Sequence, residues 1–161
     1  GTSCLVETVD RPEIQARALS VIEDAGYYGI SESEFVYDAD REEYLLLDVN
    51  TRPWKWIGMP VAAGVNLPMA AYAAVTEATY EAAEPRDSRW VYLRDYLSLL
   101  ASADAFWDVL STDDWAALLS GSFETTTETD LTTGVYRPTD PAPAAKLIET
   151  EFTDREYYCA C

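Results

Sequence analysis

The run Glu34–Arg52, EFVYDADREEYLLLDVNTR, constrains this chain more than any other stretch. Apolar and aromatic residues flank a short acidic turn, Asp38-Ala39-Asp40-Arg41-Glu42. That pattern predicts two strands near residues 30–38 and 43–50, and strands joined so closely must be antiparallel. Side chains two apart in a strand share a face. Asp48 and Asn50 therefore point the same way, joined by Arg52 if the extended backbone continues, while Leu47 and Val49 point into apolar surroundings. On the first strand Ile30, Glu32, Glu34 and Val36 share a face, so Glu34, with Glu32 as a second candidate, can meet Asp48 if the register allows.

Hard oxygen donors of this kind suit Mg²⁺, which keeps water or phosphate oxygens in a near-octahedral shell. The planar guanidinium of Arg52 suits a phosphate oxygen. Spacing alone leaves two readings open, a metal–phosphate site or a solvated acidic sheet face.

The rest of the chain reads as mixed. Residues 3–9 suggest a short strand. Asp10 and Pro12 open a helix with an apolar stripe of Ile14, Ala18, Val21 and Ile22, and Gly26 closes it. Asn66 and Pro68 start an Ala-rich helix running to about Ala83. Ser88 is expected to cap a helix carrying Trp90, Leu93, Leu97 and Leu100. A shorter helix near 113–120 stops at Gly121, and Asp140-Pro141 opens a last one that runs into Tyr157-Tyr158. Residues 122–134, rich in Thr and Glu, read as an exposed strand or a loose linker. Strands early and helices later indicate an α+β fold with an antiparallel sheet and packed helices.

The order of motifs adds a resemblance. Asp10-Arg11-Pro12-Glu13, Gly26-Tyr27-Tyr28-Gly29, Glu34-Phe35, Leu47-Asp48-Val49-Asn50-Thr51-Arg52-Pro53 and Ala63-Gly64-Val65-Asn66-Leu67-Pro68 follow one another as in the carboxy-terminal metal-binding part of the ATP-grasp superfamily. That superfamily shows G-x-x-x-x-E-F, a short hairpin, E-x-N-x-R and then A-G-[VI]-[ND]-L-P. The resemblance covers roughly residues 5–70. It implies that Glu34, Asp48 and Asn50 hold Mg²⁺ (or Mn²⁺) on the phosphates of ATP, and that Arg52 contacts the phosphate or acyl phosphate. The implied reaction is that of a carboxylate–amine ligase, in which ATP phosphorylates a small carboxylate and an amine displaces phosphate. The implied layout is the carboxy-terminal half of an ATP-grasp fold over 1–84, followed by a helical extension, 85–161, packed on it. Asp48 departs from the usual Glu by one methylene. No lysine precedes Lys55, and the chain starts at Gly1, so an amino-terminal segment carrying the other wall of the nucleotide pocket is expected outside this sequence. Trp54 and Trp56 could line an acceptor site or simply pack in the core.

Composition excludes some partners. With 29 acidic and 11 basic residues the formal net charge is −18. Binding nucleic acid or anionic lipid needs clustered Lys and Arg, which this chain lacks. The longest apolar stretch, residues 61–75, is interrupted by Gly64, Asn66 and Pro68, and a bilayer span needs roughly 20 apolar residues. Cys4, Cys159 and Cys161 form no disulfide framework and suit a reducing cytoplasm. Five Trp and eleven Tyr support a packed core rather than disorder. The acids are dispersed, as on salt-adapted proteins. A non-catalytic acidic assembly domain and a simple cation-binding domain are the competing readings.

Salt should then control stability. The screening length falls from about 10 Å at 0.1 M salt to about 3 Å at 1 M. Thermal unfolding followed by circular dichroism should give a melting temperature that climbs with KCl, and equal values at millimolar and molar salt would refute a salt-adapted surface.

Overall fold

A computed structural model describes residues 3–124, 130–151 and 153. In chain order the elements are β1 (Leu5–Glu7), α1 (Pro12–Asp24), β2 (Glu32–Asp38), β3 (Glu43–Asn50), α2 (Gly58–Ala62), α3 (Leu67–Ala74), β4 (Arg89–Val91), α4 (Leu93–Leu100), α5 (Thr112–Ser120), β5 (Leu131–Thr133) and α6 (Ala142–Glu151). The mixture of helices and small sheets is α+β. Two compact units form, one from Thr8–Arg86 and one from Gly1–Glu7 with Asp87–Cys161.

The Thr8–Arg86 unit is built on the antiparallel β2–β3 hairpin. The turn between the strands is held by Asp38, whose Oδ1 accepts from the backbone N–H groups of Asp40 and Arg41 at 3.0 and 3.1 Å. This Asx arrangement explains why an acidic run folds as a tight turn. Helix α1 starts where Pro12 fixes its first φ. The N-cap is Arg11, with no side-chain cap, so Asp10 lies one residue too early for the capping role expected of it. Of the apolar stripe, Ile14, Ala18 and Ile22 are half-buried and Val21 is exposed. The Arg17 guanidinium ties the helix to β3 by donating to the Tyr44 carbonyl. Only Met59 and Ala63 of this unit are among the buried apolar residues.

Helix α3 is much shorter than expected. Asn66 does cap it, its side chain accepting from Met69 N–H at 2.9 Å. It ends at Ala74 because the chain must turn back. Ala83 N–H donates to the Gly64 carbonyl, and Arg86 N–H to the Ala63 carbonyl. The Thr76 hydroxyl meanwhile donates to the Tyr72 carbonyl at 2.9 Å. A return of the chain thus replaces the helix turns that alanine content alone favours. Gly64 makes this return possible. It has φ +105, and a Cβ there would lie 3.0 Å from the Glu84 carbonyl oxygen.

The second unit holds a three-stranded sheet in the order β1-β4-β5. β1 pairs antiparallel with β4, and β5 pairs parallel with it. The sheet is therefore mixed, and strands are not confined to the early part of the chain. Ser88 caps no helix. It is buried, and Trp90 and Val91, at 1% and 0% exposure, form the centre of the sheet. Pairing on both edges overrode the helical spacing read from Trp90. Residues 131–133 are a buried strand rather than an exposed one, while 125–129 lie outside the described residues. Tyr96, Leu100, Leu110, Leu118 and Phe123 pack on the sheet, with half-buried Cys4 against them. Cys159, Cys161 and the Tyr157-Tyr158 end also lie outside the described residues.

One ion cluster ties this unit together. Arg89 on β4 donates to both Asp114 oxygens at 2.6 and 3.0 Å, and to both Asp130 oxygens at 2.7 and 2.9 Å. Asp114 also closes a capping box with Ser111 at the start of α5. Burial alone would raise the Asp114 carboxyl, but the bonds from Arg89 and Ser111 outweigh it and hold it below the usual carboxylate value. A depressed folded-state value means the stabilisation is complete above the unfolded value, about 3.9, and drains away as pH falls through the folded one. Asp114→Ala should cost about 2–4 kcal/mol in urea unfolding, because it strands Arg89 and removes a cap. Asp130→Ala, at a carboxylate 40% exposed, should cost less than about 1 kcal/mol.

Candidate functional site

The hairpin register decides what the predicted residues can do together. Glu34 is paired with Asp48, Ser33 with Val49, and Glu32 with Asn50. Directly paired residues on antiparallel strands share a face. Glu32, Glu34, Asp48 and Asn50 therefore form one polar surface at the open end of the hairpin. Beyond Glu34 the register shifts, so Phe35 pairs with Leu46 and Leu47 is the extra residue. A bulge of this kind turns its extra side chain out of the ladder. Leu47 is 60% exposed, contrary to the apolar surroundings expected for it, whereas Val49 is half-buried as expected.

The approach to the first strand is fixed by Gly29. Its φ is +147, and a Cβ there would lie 2.8 Å from the Tyr27 hydroxyl. That hydroxyl donates to the Ile30 carbonyl at 2.9 Å. Only glycine permits both the backbone angle and the close approach of the ring.

Polar contacts on the face are sparse. Asn50 Nδ2 donates to Glu32 Oε2 at 3.3 Å. Asp48 Oδ1 accepts from the Val49 N–H at 2.8 Å. Burial raises the Glu32 carboxyl above its usual value; Asn50 and Arg52 oppose this, and the charges of Glu34 and Asp48 reinforce it. Glu32 therefore feels its neighbours on this face electrostatically. Strand β3 ends at Asn50 and the chain bends at Arg52, so the extended backbone does not carry Arg52 onto the face as a further strand residue. Its side chain is exposed, Nη1 donating to the Pro53 carbonyl at 3.3 Å. Trp54 and Trp56 are half-buried, Lys55 is exposed, and the buried Trp54 Nε1 has no hydrogen-bond partner among the described residues.

Among the described residues no three Asp, Glu, His or Cys side chains gather closely enough to cage a metal ion. Mg²⁺ does not require such a cage, since it is commonly held by one or two carboxylates with substrate phosphates supplying the rest. Hard oxygens and a pair of opposed, uncompensated carboxylates fit that cation. Glu32, the second candidate on the first strand, joins this face through its pairing with Asn50. Its signal was already present in the two-residue spacing to Glu34.

Away from this face, an apolar groove of about 430 Å³ runs between the Tyr27–Ile30 segment and α3, with Leu67, Ala70 and Ala74 on its wall. None of the four predicted site residues lines it. No helix among the described residues is long and apolar enough to cross a membrane.

Residues 2–73 match a family model of ATP-grasp type, which supports the ATP-grasp resemblance for that part of the chain. The family whose model matches them is the carbamoyl-phosphate synthase L chain, ATP binding domain. No curated protein and no solved structure matches the chain.

Like charges directly opposite each other in a sheet destabilise it by roughly 0.2–1 kcal/mol. Asp48→Asn removes the repulsion from Glu34 and keeps an oxygen for the Val49 N–H. In EDTA the variant should therefore unfold at higher temperature or urea concentration than the parent. A less stable variant would mean the pair is not repulsive.

Proposed function

We propose that this chain supplies the Mg-ATP phosphate site of an ATP-dependent carboxylate–amine ligase acting through an acyl phosphate. The observation that carries the reading is the pairing of Glu34 with Asp48 and of Glu32 with Asn50. It occurs inside a segment that matches an ATP binding domain.

In this reading Glu34, Asp48 and Asn50 hold the cation through hard oxygens. A Mg²⁺ held there would supply neutralisation of phosphate charge and orientation of the nucleotide. Arg52, exposed at the end of β3, places a planar donor fork against the transferring phosphoryl group, where charge grows in the transition state. A small carboxylate is the acceptor and an amine the second substrate. Asp48 carries its carboxylate one methylene nearer the strand than a glutamate would, so it would hold a cation close to the strand or through water. Residues 1–84 act as the carboxy-terminal subdomain of the nucleotide site and 85–161 as an extension of it. The opposite wall of the pocket, with its phosphate-binding lysines, comes from a further segment of the same protein. Support for that last point lies in the thin core of Thr8–Arg86 and in exposed Val36, Tyr37, Leu46 and Leu47 on a two-stranded sheet.

A second reading, a non-catalytic salt-adapted domain that keeps the fold, is favoured by one observation: the three carboxylates of the face do not converge to a metal cage. Asp48→Ala and Asn50→Ala separate the two. In the full-length enzyme each should lower carboxylate-dependent ADP release by about 10²-fold or more, with circular dichroism unchanged. A full-length protein that releases no ADP with any carboxylate and amine before mutation would favour the second reading.

A further inference from the structure

Asn50 can serve a cation only through its amide oxygen, because its NH₂ group only donates. The side chain is a planar amide with two similar faces, and something must decide which atom points outward. Across the hairpin Glu32 is the residue directly paired with Asn50. Asn50 Nδ2 donates to Glu32 Oε2 at 3.3 Å, and both residues are half-buried. An ionised carboxylate only accepts hydrogen bonds, so it can face only the NH₂ group. The reversed amide would set oxygen against oxygen in a partly desolvated place, which is costly.

We propose that Glu32 is a positioning residue that locks the Asn50 amide with its nitrogen towards β2 and its oxygen available to the cation held by Glu34 and Asp48. This rests on the functional reading above and goes beyond it, because Glu32 acts through Asn50 and need not touch the ion. Partners of this kind orient metal-binding side chains, and their loss typically costs about 10–100-fold in affinity. Within the hairpin the arrangement is local. It needs only the direct pairing of one residue on β2 with one on β3, and that pairing lies on the near side of the bulge.

The test uses the whole 161-residue chain with Mn²⁺ as the probe, titrated by electron paramagnetic resonance in molar KCl to suppress diffuse binding. Asn50→Ala defines the site. Glu32→Gln keeps an acceptor oxygen for Asn50 Nδ2, and Glu32→Ala removes it. The expected result is a loss of about tenfold in the Asn50-dependent affinity for Glu32→Ala, with Glu32→Gln staying close to the parent. Equal losses in both variants would overturn the proposal, since Glu32 would then act by its charge or as a ligand. No loss in either, with Asn50→Ala still defective, would also overturn it while leaving the site intact. Identical Mn²⁺ binding by the parent and Asn50→Ala would remove the metal reading itself. A second measurement needs no metal. In the parent the Asn50 side-chain NH₂ protons should differ strongly in chemical shift by nuclear magnetic resonance. The difference should persist in Glu32→Gln and shrink to that of a free asparagine side chain in a folded Glu32→Ala. Its persistence in Glu32→Ala would sink the proposal.

Discussion

Everything proposed for the Thr8–Arg86 unit depends on the register of one hairpin. A slip of one residue would send each side chain of β3 to the opposite face. Asp48 and Asn50 would then face away from Glu34 and Glu32. Two features hold the register. The Asx turn at Asp38 fixes the closed end of the hairpin. The bulge after Glu34 absorbs Leu47 as an extra residue, so the acidic pairs and the Phe35–Leu46 pair each find their partners. Without the bulge one set or the other would be misaligned. It separates a polar open end from the apolar and aromatic pairs Phe35–Leu46, Val36–Leu45 and Tyr37–Tyr44, which lead to the acidic turn.

The Arg89 cluster and the hairpin face treat acidic residues in opposite ways. Around Arg89 two aspartates share one guanidinium through four hydrogen bonds. The negative charge there is answered within the fold and contributes to holding β4, α5 and the segment before β5. On the hairpin face Glu34 stands opposite Asp48, and the neighbouring guanidinium of Arg52 is exposed at the end of the strand. A fold with nine arginines could have placed one between them. Leaving like charges opposed costs stability, and such costs concentrate where a ligand later offsets them. The raised carboxyl of Glu32 points the same way, since burial and two nearby carboxylates disfavour its charge.

How much was legible in the sequence follows from how local each signal is. The hairpin was, because period-two alternation and an acidic turn are local properties, and β3 runs over Glu43–Asn50 as the pattern indicated. Helix α5 was too, with Gly121 at its end. The failures were non-local. Trp90 sits at helical spacing from Leu93 and Leu97, yet two strands distant in sequence claim it for a sheet. The alanines after residue 74 favour helix, but hydrogen bonds from Ala83 and Arg86 back to Gly64 and Ala63 require a return of the chain. At the site the spacing of Glu34, Asp48 and Asn50 was readable, whereas the pairing of Glu32 with Asn50 was not. Pairing depends on register, and here the register depends on a bulge that no residue type announces.

The aspartate at position 48 is best understood together with that bulge. A carboxylate one methylene shorter reaches less far from the strand. Here the first residue after it towards the turn is Leu47, the turned-out residue of the bulge. Bulges bend the strand that carries them and increase its local twist. A bend next to residue 48 alters the reach of its side chain as directly as a change in side-chain length does. The short acid and the irregular backbone are therefore coupled features of one surface. The side chain alone is not a sufficient guide to where a cation would sit, and substitution by the longer glutamate would not simply restore the usual geometry of the motif.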